Sequence, residues 1–243
     1  MKKVFLALSV VSALSASKIS DDTALFLKSL AAKDGIEIEV VKTSNVPNSD
    51  FEMIEFNIVY DNKIIGQDVF FSNGKLATPT LFDMHKKLDL KADFIAQKEK
   101  EKTDVIISEL GGFLNKYSNV VINLGSHPGN AATVVFTDPD CPWCRKHLET
   151  IRDDLQTQNI KLVLLPLPMH IDAMDKSIEI LEKIKNKKTD EEKIKLLEEY
   201  FTDDVKFKKA DKEKTENYEK IVKEIFEMGV RSTPSIFQDV KVK

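Results

Sequence analysis

The stretch FTDPDCPWCRKHLE at 136–149 constrains this chain more than any other, because it holds both of its cysteines, Cys141 and Cys144. The run AATVVFT at 131–137 leads into it and reads as a β-strand. Pro142 suits the first position of a helix, where a missing N–H is an orphan in any case. Cys141 then falls at the N-cap. Cys144, Leu148, Ile151 and Leu155 recur at spacings of four, three and four, which is one apolar stripe of a helix. The sequence therefore predicts a strand-to-helix corner, with Cys144 turned to the core and Cys141 exposed at the helix mouth.

Three chemistries suit two cysteines one turn apart: a structural crosslink, a metal site or a redox centre. A Cys-X-X-Cys bridge closes a very small loop, and the stabilisation from closing a loop grows with its length. As a staple it would achieve little. Zinc needs two further ligands. His85, His127, His147 and His170 are available, but no second Cys-X-X-Cys and no His-X-X-X-His spacing accompanies them. A redox dithiol needs nothing more than is present. The unpaired N–H groups of a helix start favour a thiolate at Cys141. A thiolate attacks a disulfide, and a stabilised one also leaves readily. Cys144 can reach back one turn to release whatever Cys141 has captured. No metal and no cofactor are expected beyond the redox-active Cys141–Cys144 pair itself.

The first residues, MKKVFLALSVVSALSAS, have a basic start, an apolar run and small residues at the end. This is the layout of a cleaved secretory signal peptide over 1–17. Its apolar run is shorter than the roughly 17–25 residues that span a bilayer. The mature protein is thus expected to be exported and soluble in the periplasm, where oxidising conditions permit disulfides. A formal net charge of −4 gives no electrostatic reason to expect nucleic acid or an acidic membrane as partner.

Residues 18–86 read as a small α+β unit, with a helix near 22–32 carrying Leu25, Phe26 and Leu30 on one side. Strands follow at 36–41, 52–60 and 63–72, and Asn73-Gly74 supplies a hairpin signal. Residues 87–112 read as a linker helix, charged in its middle and broken by Gly111-Gly112. From 113 to 243 the pattern is strand (119–124), strand (131–137), the cysteine helix, a buried strand (159–168), helices over about 172–228, and a last strand entered at Pro234. That is an α/β plan with a parallel core. Thr233, before a proline, is pushed to an extended conformation, and Pro234 belongs at the start or edge of a strand.

Together, FTDPDCPWC and the late GVRSTPSIF resemble the thioredoxin-fold family. The whole layout is more narrowly similar to the periplasmic disulfide isomerases DsbC and DsbG. That resemblance implies an α/β thioredoxin-like catalytic domain with a helical insertion, preceded by an α+β dimerisation domain and a linker helix. It makes Cys141 the attacking cysteine and Cys144 the resolving one, with Pro142 and Trp143 as their surroundings. Thr233-Pro234 becomes a cis pair whose backbone binds substrate as an added strand. It further implies a homodimer, clients that are exported proteins with non-native disulfides, and a membrane thiol reductant of the DsbD type. The expected function is a thiol–disulfide oxidoreductase that isomerises or reduces such disulfides. The rivals are a dithiol oxidase of the same fold and a dimeric holdase with incidental thiols. Two departures stand out. The dipeptide is Pro-Trp, where such proteins commonly have Gly-Tyr or Pro-Tyr. Nine residues follow Pro234 in the 243-residue chain, where the family fold expects a further strand and a terminal helix. A bare sheet face would cost about 1.5–3 kcal/mol per exposed apolar side chain.

Overall fold

The computed structural model describes residues 17–31, 35–129 and 131–241. The expected signal peptide lies outside them, apart from Ser17. Two compact units divide between Glu99 and Lys100.

In the first unit, α1 (Lys18–Leu30) precedes β1 (Ile36–Asn45), β2 (Glu52–Tyr60), β3 (Lys63–Ser72) and β4 (Ala77–Thr78), which form an antiparallel sheet in that order. A two-stranded pair, β5 (Phe82–Asp83) and β6 (Leu88–Asp89), follows. Asp61 and Asn62 connect β2 to β3 with φ of 50° and 55°. Positive φ at both central residues is what a two-residue turn needs to match the twist of its strands. The Asn73-Gly74 signal also marks a turn, but a longer one. Gly74 alone takes positive φ, and the Asn73 side-chain oxygen accepts the N–H groups of Lys75 and Leu76. Val46, Val69 and Phe71 form the core beneath the sheet, with Phe51, Met53, Leu81, Leu90 and Phe94 against them. In α1, Ser17 caps the N-terminus and Ser20 and Thr23 are the buried residues. The apolar side of this helix instead faces solvent, with Leu25, Phe26 and Leu30 at 66%, 44% and 62% exposure.

The helix α2 (Leu90–Lys116) runs through Gly111-Gly112 instead of ending there. Each mid-helix glycine costs about 1 kcal/mol relative to alanine. Burying Leu110, Phe113 and Leu114 in the core of the second unit outweighs that, at about 1.5–3 kcal/mol for each large apolar side chain. Gly111 also leaves little room for a side chain, since a Cβ there would stand 3.0 Å from the Lys241 carbonyl oxygen.

The second unit continues with β7 (Val121–Leu124), β8 (Ala131–Thr137), α3 (Pro142–Asp154) and β9 (Ile160–Leu164). Then come α4 (Ala173–Ile184), α5 (Asp190–Tyr200), α6 (Lys212–Glu227) and β10 (Ser235–Lys241). The sheet order is β10-β8-β9-β7. Its parallel core is the single pair β8/β9, flanked by antiparallel partners on both sides. The fold is thioredoxin-like α/β, and α4 to α6 form its helical insertion. Thr189 starts α5 with a capping box to Glu192, and Tyr218 of α6 donates its buried hydroxyl to the Leu164 carbonyl at 2.7 Å. Phe136 of β8 meets Phe113 of α2 and Phe237 of β10 at ring separations of 6.3 and 6.0 Å. On β10, Phe237 and Val240 are buried and Ile236 is 45% exposed. The end of α2 thus covers the face that Phe136 and Phe237 share, and Ile236 is the large apolar side chain of β10 left in solvent.

Candidate active site

The corner between β8 and α3 is built from the Thr137–Cys144 stretch. Cys141 is the N-cap of α3 with extended backbone (φ −80°, ψ 120°), and Pro142 follows at the helix start. The Cys141 N–H donates to the Asp138 carbonyl at 3.1 Å, and the Arg145 N–H to the Cys141 carbonyl at 3.1 Å. Cys144, Leu148 and Ile151 are the buried residues of α3, along the stripe that the spacing predicts. The two thiols are not bonded to each other.

Cys141 is not exposed, contrary to the sequence expectation. It is only 5% accessible. The reason is distant in sequence: the Thr233-Pro234 loop, with a cis peptide bond, lies against it, and the Cys141 Sγ–H points to the Thr233 carbonyl at 3.4 Å. Cys141, Pro142, Trp143, Cys144, Thr233 and Pro234 are therefore brought to one place. Trp143 is its open side, at 70% exposure.

Cys144 is fully buried. Burial pushes its thiol up from an ordinary 9.0 to about 11, because a thiolate loses its hydration there. The Thr137 hydroxyl and the Asp138 N–H, which donates to the sulfur at 3.4 Å, pull the other way. The Thr233 hydroxyl, buried without a hydrogen-bond partner, lies close enough to favour the thiolate as well. Burial wins.

Other side chains complete the site, and the sequence reading did not single them out for it. The Asp138 carboxylate is fully buried and accepts the N–H groups of Asp140 (2.8 Å) and Leu167 (2.7 Å), with His170 Nδ1 at 2.8 Å. It thereby clamps the turn before the cysteines to the loop after β9. Asp140 pairs with Lys176 Nζ at 2.6 Å, and Arg145 reaches the Pro139 carbonyl at 3.3 Å and Asp203 at 2.6 Å. The remaining histidines are elsewhere. His127 Nε2 meets the Leu155 carbonyl at 2.7 Å, His85 lies after β5, and His147 is half-buried on α3, its imidazole pushed below the ordinary range by burial. Among the described residues, no group of three or more His, Cys, Asp or Glu side chains could hold a metal ion.

No protein-family model matches the sequence, and no curated protein matches it. Among solved structures the chain is similar to DsbG of Helicobacter pylori, with 17% identity, covering 90% of this chain and 99% of that one at a TM-score of 0.50. The catalytic domain of Proteus mirabilis ScsC matches at 18% identity over 55% of this chain and 84% of that one, TM-score 0.38. The thiol-disulfide exchange protein α-DsbA2 of Wolbachia pipientis matches at 15% identity over 58% and 91%, TM-score 0.38. The likeness to DsbG spans both units and carries the thioredoxin-like fold.

Proposed function

We propose that this protein is a thiol–disulfide oxidoreductase that isomerises or reduces non-native disulfides in exported proteins. The observation that carries this reading is the Cys141/Cys144 pair at the mouth of α3, with Cys144 deep beneath it and the Thr233 carbonyl against Cys141. Similarity to a structure described as DsbG supports the same class.

The Cys141 thiolate attacks one sulfur of a client disulfide. A mixed disulfide forms and the other client sulfur leaves as a thiolate, which takes up a proton. In isomerisation a client thiolate then attacks the mixed disulfide, forming a new client disulfide and freeing Cys141. In reduction Cys144 gives up its proton and attacks Cys141 Sγ. The Cys141–Cys144 disulfide forms, and the electron pair leaves with the second client sulfur. A membrane thiol reductant of the DsbD type then returns both cysteines to thiols. Thr233 and Pro234 offer backbone to an extended client segment beside the sulfur. The site of action is the periplasm.

The chain acts as a homodimer through its first unit. The exposed Leu25, Phe26 and Leu30 of α1, with Leu76 at 67% exposure in the same unit, support an apolar surface to be covered by a second copy. A sedimentation mass equal to one chain would remove that part of the proposal.

The test of the whole is reactivation of a scrambled disulfide protein. Wild type should restore activity, and Cys141→Ser should abolish it. Cys144→Ser should accumulate mixed disulfides with the client. A Cys141→Ser variant that works at the normal rate would refute the reading.

A further inference from the structure

Cys144 is fully buried, yet it must become a thiolate to attack Cys141 Sγ, and a thiolate loses its hydration there. Three donors reach its sulfur. The Asp138 N–H donates to it at 3.4 Å. Thr137 ends β8 and is buried, and its hydroxyl acts on the sulfur as a donor that favours the charged form. Thr233 arrives from the segment that leads into β10. Its carbonyl takes the Cys141 Sγ–H at 3.4 Å, while its hydroxyl is buried with no hydrogen-bond partner among the described residues. That hydroxyl lies close enough to Cys144 to favour the thiolate too. The β8/β10 register begins at Phe136 opposite Ser235, so both threonines stand at one end of the sheet, beside the start of α3. A buried hydroxyl left unpaired is costly and calls for a physical reason. A newly charged sulfur beside it supplies one.

We propose that the Thr137 and Thr233 hydroxyls and the Asp138 N–H form a cradle for the Cys144 thiolate, and that this cradle governs how readily Cys144 resolves the mixed disulfide. This rests on the dithiol reading above and adds to it what divides reduction from isomerisation. In the step it assists, the Cys144 thiol loses its proton and its sulfur attacks Cys141 Sγ. The Cys141–Cys144 bond forms, the bond to the client breaks, and the electron pair leaves with the client sulfur, which takes up the proton. The cysteine pair is oxidised and the client sulfur reduced. A thiolate accepts hydrogen bonds far better than a neutral thiol, so the cradle acts on the charged state that attacks. Donors already aimed where charge develops need no rearrangement at the moment of reaction. A client thiolate that attacks the mixed disulfide first uses none of these donors. Loss of the cradle therefore prolongs the mixed disulfide and shifts the outcome from reduction towards isomerisation.

The experiment uses the full mature chain, reduced and then mixed with one equivalent of the aromatic disulfide DTNB, whose thiolate is coloured. Attack by Cys141 releases the first aromatic thiolate and resolution by Cys144 the second, so the two steps are read as two phases. Thr137→Val keeps the shape of the side chain and removes the donor. One hydrogen bond to a charged group is worth about tenfold or more, so the second phase should slow about tenfold while the first stays within about twofold. Thr137→Ser keeps the donor and loses the methyl group, and should hold the second phase within about threefold of wild type. A packing role would give the reverse order, with serine the slower. On a scrambled disulfide protein, Thr137→Val should also raise the fraction of chain held as mixed disulfide. If Thr137→Val does not fold, Thr233→Val decides, by the second phase relative to the first. A valine variant within about twofold of wild type in the second phase, a serine variant as slow as the valine one, or equal slowing of both phases overturns the proposal. A wild type that releases only the first thiolate would instead defeat the dithiol reading, which keeps the two failures apart.

Discussion

Cys144 should label by a pH profile unlike that of any ordinary thiol. The perturbation is Cys141→Ser, which removes the competing sulfur. The Cys141 thiol is only a minor contributor to the upward push on Cys144, so burial, the largest, stays in place. A group titrating at about 11 instead of 9.0 holds about one hundredfold fewer thiolates at any pH below 9, because each step of one is tenfold. Iodoacetamide reacts with the thiolate. Labelling of native Cys144, followed by intact mass between pH 7 and 11.5, should therefore climb about tenfold per pH step until about 11. The urea-denatured chain should level off near 9. Steric shielding slows the native rate further, but it does not move the pH at which the curve levels. The same shift has a stability consequence. The folded state holds this proton more tightly than the unfolded chain, so the contribution is full below pH 9. It is lost as pH rises from 9 through about 11. Urea midpoints at pH 8.5 and 10.5 should fall more for Cys141→Ser than for a variant that also carries Cys144→Ala. A native curve levelling near 9, or a native rate within about threefold of the denatured one at pH 8, would refute the role given to burial.

Four further outcomes follow from the packing. Asp138→Ala strips the acceptor from the Leu167 and Asp140 N–H groups and from His170, and should cost about 3–5 kcal/mol in urea unfolding. Phe136→Ala empties a fully buried ring site between Phe113 and Phe237, for a loss of about 3–5 kcal/mol by the same assay. Gly112→Ala meets nothing within 4 Å and should raise stability by about 0.5–1 kcal/mol, as helix propensity dictates. Gly111→Ala, which meets the Lys241 carbonyl oxygen at 3.0 Å, should show no such gain.

Periodicity revealed what depends on neighbours in sequence. The strand at 131–137, the start of α3 at Pro142 and the stripe of Cys144, Leu148 and Ile151 all follow from spacing, and the structure has them there. Where a distant partner decides, local reading failed. Gly111-Gly112 reads as a helix end, yet Phe113 and Leu114 find a core and carry the helix on to Lys116. Leu25, Phe26 and Leu30 fall on one side of α1, and their spacing alone does not say whether that side is buried or exposed. Within the first unit, Ser20 and Thr23 are buried instead, each sending its hydroxyl back to a carbonyl of its own helix.

The same division runs through the site. Two thiols at helical spacing announce themselves, but the cover over Cys141 comes from Thr233, 92 residues away, and no helix pattern contains it. Asp138 and His170 are 32 residues apart and meet only because β9 runs parallel to β8, which returns the chain to the same end of the sheet. Lys176 did leave a trace. It lies three residues after Ala173 and four before Ile180, on the buried side of α4 that it shares with Ser177. A cation at such a position must find an anion inside the fold, since leaving it unpaired would cost several kcal/mol. The anion it finds is Asp140, bonded to the cysteine that the spacing already marked. A charge misplaced on the buried side of a helix thus points to an anion that the fold must bring to it, here on the turn that leads into α3.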